Sequence, residues 1–411
     1  MASIGNVSVI LLYLLYLCHY GQPQVLLHIP ERASPFLLVA VLTAGFIILN
    51  NNLLRFLKFK QILLMIGVAI WITILFFLST KSSTVILKTM WIFLIFSIGV
   101  VVLMDDLKRF KSLITYLSLV ALFFVSCSIL RQSKFERNAY TIFSNFLTDP
   151  NDYSMYLNMM IPWILLTFDF SDGLWKKVFG VGVLATCFVD LLTFSRGGFL
   201  GFIAMAGVLA IYHPKRYQIM GGGIVLALLG AVILSDQWLA IMSTATDSGQ
   251  STAQERLTMW AAAWEVFKEH PMGVGPGNAG LFAWVHVPNG VQGYTQGHWY
   301  GSALHSLWFT VLSEWGIIGS VLFLSILYLN FRDCRRLIRL PKGSYLQAVG
   351  VAGLASMVGF LVSATFLTSC YYPHGAYLTA ILCAASRLWA MEVTKSNNLG
   401  LDIQFKPHYT T

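Results

Sequence analysis

The chain has 411 residues, of which 57% are hydrophobic and 11% charged, and its mean hydropathy is +0.69. Soluble domains carry about 25% charged residues, so a soluble enzyme, a disulfide-rich secreted domain and a disordered chain are excluded; a polytopic membrane protein remains. The net charge of +9 is no pointer to nucleic acid, because Lys and Arg lie mostly in short loops between apolar runs, where membrane topology accounts for them.

Apolar runs predict spans near 6–20, 35–51, 61–79, 85–104, 112–130, 153–168, 178–194, 197–212, 218–234, 306–329, 346–367 and 375–391. A spanning helix needs about 20 apolar residues, and the expected architecture is all-α with about twelve transmembrane helices. The first run, Val7–Tyr20, lacks a basic flank and a small-residue cleavage site, so it reads as a retained helix rather than a signal peptide. The six cysteines (Cys18, Cys127, Cys187, Cys334, Cys370 and Cys383) form no C-x-x-C. Neither a zinc site nor a disulfide framework follows from them.

Orientation follows from the basic residues. With the N-terminus inside, the inner loops carry Arg55, Lys58 and Lys60, then Lys108, Arg109 and Lys111, then Lys176 and Lys177, then Lys215 and Arg216, and finally Arg332, Arg335, Arg336, Arg339 and Lys342. The outer segment Ser369–Gly375 carries none. Both termini are then cytoplasmic. The chain divides into N-terminal helices (1–130), a core (131–330), and C-terminal helices with a tail (331–411).

Two outer segments are too long to be simple turns. Residues 131–152 include the run Thr148-Asp149-Pro150-Asn151-Asp152, and residues 235–305 form an insertion large enough for an extracytoplasmic subdomain. Connections that long are usually functional. Within the insertion, Leu257, Trp260, Trp264 and Phe267 recur at helical spacing, which predicts an amphipathic helix lying in the headgroup layer. Pro271 stops it.

Three clusters can carry chemistry. In Asp190 to Gly198, a lone Arg196 stands where two apolar helices meet, and such an arginine normally has an anionic partner. Gly197 and Gly198 leave backbone N–H groups at a helix start, which favours anions; alternatively the stretch is a tight turn with Arg196 paired to Asp190. The run Glu269 to Asn278 places Gly273, Gly275 and Gly277 at alternate positions. That spacing is not the dinucleotide fingerprint and reads as a turn, with phosphate cradling by Gly275, Gly277 and Asn278 as the functional alternative. The run His298 to His305 leads into the tenth span. His305, at the mouth of that span, is a reasonable general base near neutral pH, or an interfacial hydrogen-bonding group. His298 and Trp299 are candidate substrate contacts, because aromatic faces pack on sugars as well as on headgroups. Glu314, nine residues beyond His305, reads as an inter-helix hydrogen-bonding group. No inner loop is long enough for a nucleotide-sugar domain, and the outer carboxylates show no hydrolase pairing.

Ser195-Arg196-Gly197-Gly198 resembles the arginine motif of the O-antigen ligase and polymerase superfamily. So do Arg256-Leu257 with Trp260, His270-Pro271 with Gly273 to Asn278, and Leu304-His305-Ser306 leading to Glu314-Trp315-Gly316, in that order. Thr148 to Asp152, before a span containing Pro162, fits as well, so the resemblance covers roughly residues 145–330. One departure is Ser306, where many members have asparagine. The resemblance implies transfer of a glycan from an undecaprenyl-pyrophosphate carrier to a hydroxyl acceptor, at the outer face of a bacterial inner membrane, without nucleotide or metal. Arg196 and Arg256 would bind the pyrophosphate and His305 would be the base. Partners would be the lipid-linked donor, a lipid or glycan hydroxyl acceptor and membrane lipids. A polymerase or protein O-oligosaccharyltransferase is the alternative within the superfamily, and a lipid-linked-glycan flippase is the alternative outside it.

Overall fold

The structure, a computed structural model, describes residues 2–21, 35–49, 53–79, 81, 83–131, 147, 149–218, 221–223, 252–291 and 295–398. These residues form helices and no strand. In chain order they are α1 (Ala2–Gly21), α2 (Pro35–Ile48), a 3₁₀ turn (Leu53–Lys58), α3 (Lys60–Leu78), α4 (Thr84–Leu103), α5 (Leu107–Arg131), α6 (Pro150–Asp169), α7 (Gly173–Leu192), α8 (Arg196–Tyr212), α9 (Thr252–Glu269), α10 (Ala279–Ala283), α11 (Leu307–Thr310), α12 (Gly316–Ile338), α13 (Tyr345–Ala364) and α14 (His374–Asn398).

Among the described residues, six helices are long and apolar enough to cross a membrane: 60–78, 84–103, 107–130, 307–338, 345–364 and 374–394. Three shorter apolar helices cover 6–21, 37–48 and 196–212. That is fewer than the twelve spans expected. The helices α6 and α7 are each 20 residues long but carry polar side chains, Asp152, Ser154 and Asn158 in α6 and Asp190 in α7, all buried inside the bundle. Interior helices tolerate such groups because protein rather than lipid surrounds them. The expected ninth span, near 218–234, and most of the 131–152 segment lie outside the described residues.

At the centre is α13, packed against α6, α8, α12 and α14. Its sequence alternates small residues (Gly350, Ala352, Gly353, Ala355, Ser356, Gly359, Ser363) with larger apolar ones. Small residues let helix backbones approach closely. Here Gly359 lies against Met205 of α8, and Gly201 of α8 faces Ser363.

Helix directions define two ends of the bundle. One holds the α3–α4 turn, the start of α6, the α7–α8 turn, the start of α11 and the α13–α14 turn. The other holds the α6–α7 and α12–α13 turns, where His213 and Lys215 each reach Asp169 at 2.7 Å and Lys111 covers the Tyr345 ring at 4.7 Å. The basic loops read from the sequence gather at this second end.

The tenth predicted span is broken near its start. Between α11 and α12, residues Val311–Trp315 form a π-helical turn, which takes backbone carbonyls out of the regular ladder. The glycine loop fills them. Val274 N–H donates to Ser313 O at 3.0 Å, Gly275 N–H to Glu314 O at 3.0 Å, and Ile317 N–H to Pro271 O at 2.9 Å. This contact is possible because two glycines meet back to back, Gly273 at φ 94° and Gly316 at φ 64°. A Cβ on either would overlap the backbone of the other segment. Gly316, at φ 64° and ψ −163°, is in a region open essentially to glycine alone, so Gly316→Ala is expected to destabilise the protein by more than the roughly 1–3 kcal/mol of that backbone strain alone. A thermal melt in detergent checks this; an unchanged midpoint would contradict the close crossing.

Candidate active site

Asp149 opens α6 as its N-cap, its Oδ1 accepting the Asn151 N–H at 2.7 Å, and Pro150 follows at the first helical position, where no N–H is needed. Asn151 Oδ1 accepts from Ser195 Oγ at 2.8 Å, and Ser195 Oγ, the N-cap of α8, accepts the Gly198 N–H at 3.0 Å. One turn along α6, Ser154 donates to Asp190, and Asn158 Nδ2 donates to Gly198 O at 2.7 Å. The start of α6 thus grips the α7–α8 turn, and Arg196 is the first residue of α8, half-buried beside it. Phe194, in that turn, has φ 51°.

Helix α9 forms where the sequence predicts it, and the face beside the predicted stripe packs inward. Met259, Ala262, Ala263 and Val266 are buried in a core shared with Val274, Ala279, Ala283, Val287, Trp299 and Leu304. Leu257 and Trp264, on the expected stripe, are exposed, whereas Trp260 donates from Nε1 to Leu304 O at 2.8 Å and stacks on Phe309. Arg256 stands one turn before Trp260 on the same helix face.

His305 directly follows Leu304. Its backbone has φ 47°, uncommon for a residue with a Cβ, and its N–H donates to Thr368 Oγ1 at 3.0 Å. The side chain is open to solvent but crowded by neighbouring loops. That desolvation, together with the Arg256 guanidinium, holds the imidazole below its ordinary value, while Asp149 and Glu255 pull it back up. His305, Arg256 and Asp149 therefore share one electrostatic neighbourhood, and Asp149 connects through Asn151 and Ser195 to the turn that carries Arg196.

Other expected contacts sit differently. The Gly198 N–H is taken by Ser195, and the glycine's place is set by space, since a Cβ there would overlap Ser154; Gly197 lies against Phe366. The glycine loop is no phosphate cradle, because its donors are already used. Gly275 N–H binds the Glu314 backbone, and Gly277 and Ala279 N–H bind the Glu314 carboxylate at 2.8 and 3.0 Å. Asn278 is buried and donates to Val274 O. Trp299, at 2% exposure, is core rather than an open sugar platform, and His298 is exposed. Glu314 does bridge segments, as its depth suggests, also accepting from Tyr371. Sequence reading missed Asp149 and Glu255 as neighbours of His305, and the residues of the α13–α14 turn. A pair of tyrosines after a span gives no signal by itself.

The fold and this site define a helical membrane protein with a polar, arginine- and histidine-bearing site at one end of its bundle. Residues 181–324 match the family model described as O-antigen ligase. The match runs from α7 through the Arg196 turn, α9, the glycine loop and His305 into α12, and supports the O-antigen ligase superfamily and with it a glycan-transferring membrane enzyme. Comparison with curated proteins returns no match.

Proposed function

We propose that the protein transfers a glycan from an undecaprenyl-pyrophosphate carrier to a hydroxyl acceptor, a lipid A–core or related surface-polysaccharide acceptor, at the periplasmic face of a bacterial inner membrane. The chain would cross the membrane about twelve times, with both termini and the basic end of the bundle in the cytoplasm. The observation that carries the reading is the hydrogen bond from Trp260 Nε1 to Leu304 O at 2.8 Å, which ties the turn of α9 after Arg256 to the residue before His305, at the end of the bundle opposite the basic loops.

In this mechanism Arg196 and Arg256 hold the diphosphate by bidentate, charge-assisted hydrogen bonds. The acceptor hydroxyl gives its proton to neutral His305, its oxygen forms the new bond to the anomeric carbon, and the bond from that carbon to the carrier phosphate breaks. The electron pair leaves on the diphosphate, where the guanidiniums stabilise the developing charge. Proteoliposomes carrying the purified protein and a carrier-linked glycan test this. Transfer to a core-lipid acceptor is expected; transfer only to a second carrier-linked glycan would make it a polymerase. Movement of the donor across the bilayer without any bond formation would make it a flippase.

The pH dependence follows from His305. A base works in its neutral form, so kcat/KM should be flat near neutrality and fall as pH drops through the folded-state pKa. That acid limb should lie below the ordinary imidazole value of 6.5. In Arg256→Gln the limb should move to higher pH in the residual activity, and in Asp149→Asn to lower pH. A limb at or above the ordinary value, unmoved by either change, would remove His305 as the titrating base.

A further inference from the structure

The start of α6, the α7–α8 turn and the His305 loop all contact one short turn that carries none of the motifs read from the sequence and lies beyond the matched residues. It is the connection from α13 to α14. Thr365 Oγ1 accepts from Trp308 Nε1 at 3.0 Å. Phe366 backs Gly197 and lies 6.3 Å from the Trp260 ring. Thr368 Oγ1 accepts the His305 N–H at 3.0 Å. Tyr371 OH donates to Glu314 and accepts from Trp315 Nε1 at 2.9 Å. Tyr372 OH donates to Asp152 Oδ2 at 2.9 Å.

We propose that the 365–372 turn is the positioning element of the active site, with Thr368 and Tyr372 as its two working contacts. Three segments distant in sequence, the start of α6, the Arg196 turn and the His305 loop, meet on it. A left-handed backbone at a residue with a Cβ persists only where its surroundings over-determine it, and the Thr368 hydroxyl is the acceptor that His305 N–H finds there. Removing it frees His305 to relax to an ordinary φ, which swings the imidazole away from Arg256 and the acceptor. Tyr372 acts on the other half: by holding Asp152 it fixes the first turn of α6, and with it Asp149, which faces His305, and Asn151, which holds Ser195. The other charged groups acting on His305 are Arg256 and Glu255 of α9. The proposal rests on the reading of His305 as the base.

The test uses the full chain in proteoliposomes with a carrier-linked glycan. Thr368→Val keeps the shape and removes the acceptor, and is expected to lower kcat by about 10- to 100-fold, the scale of a small misplacement of a reacting group, with KM within about twofold. Thr368→Ser, which restores the hydroxyl, should recover most of the rate, and Tyr372→Phe, which leaves the buried Asp152 without this donor, should lower kcat together with a small fall in melting temperature. A second readout needs no turnover: the pH dependence of diethyl pyrocarbonate modification at His305, resolved by mass spectrometry. Its midpoint should rise toward the ordinary imidazole value in Thr368→Val and return in Thr368→Ser. Wild-type kcat and an unmoved modification profile in both Thr368→Val and Tyr372→Phe would overturn the proposal. So would equal losses of activity and melting temperature in Thr368→Val and Thr368→Ser, which mark a merely structural contact. A wild-type protein with no transfer to any acceptor would sink the functional reading instead, and the modification profile would still decide the positioning role.

Discussion

His305→Ala is expected to lower kcat by about 100- to 10,000-fold, the range for loss of a positioned general base, with carrier-linked donor still bound. The His305 backbone, at φ 47°, makes the choice of variant matter. Alanine in the left-handed region carries strain, so a poorly inserted His305→Ala protein would confuse backbone with chemistry. Asparagine tolerates that region far better and cannot serve as a base, which makes His305→Asn the informative substitution. It should insert and melt like the parent and bind donor with similar affinity, yet fail to turn over. Because the acceptor proton is the one His305 takes, an acceptor whose hydroxyl is more acidic should lose less rate in the variant than an ordinary sugar hydroxyl. A His305→Asn protein that transfers glycan at the parent rate, with a normal acid limb, would place the base elsewhere. Asp149 and Glu255 are then the carboxylates to examine, since both act on the same imidazole.

How far the sequence leads is clearest residue by residue. Helix positions were legible because apolar runs of spanning length are a one-dimensional signal, and the described helices begin and end close to those runs. Which of them are interior was not legible. In α6 the polar Asp152, Ser154 and Asn158 lower the hydropathy of a helix that is buried almost throughout, and only three-dimensional packing explains why they are tolerated. The glycine loop was readable as a turn from its alternate spacing, but not that Glu314 would occupy its N–H groups, because that contact depends on a π-turn which leaves no mark in composition. The face of α9 that packs on the loop core was not legible for a related reason. Tryptophans at helical spacing outweigh Ala262 and Ala263 on any hydrophobic scale, yet small residues are what a helix lying on a loop core can accommodate. The hydroxyls and rings that contact the His305 loop, Glu314, Asp152 and Gly197, on Thr368, Tyr371, Tyr372 and Phe366, sit in a segment with no motif.

Arg196→Lys and Arg256→Lys are each expected to lower kcat/KM by about 100- to 1000-fold, some 3–4 kcal/mol of transition-state stabilisation, the cost of losing one donor to a developing oxyanion. Lysine keeps the charge but not the planar fork that matches two phosphate oxygens, so these variants separate geometry from charge. For Arg256 the separation has a second consequence. Its cation helps hold the His305 imidazole low, and Arg256→Lys keeps a cation there; the acid limb should stay near its parent position while the rate collapses, whereas Arg256→Gln moves the limb as well. Arg196 opens α8 beside the Ser195 cap, where a purely structural role would show as lost stability rather than lost rate. If both arginines hold one diphosphate, the double lysine variant should fall by less than the product of the single losses, because contacts that act as a unit are not additive. Full additivity with unchanged donor affinity would assign the two side chains to separate tasks. Wild-type turnover in Arg196→Lys would leave Arg256 as the arginine at the leaving group and make Arg196 a residue of the helix start.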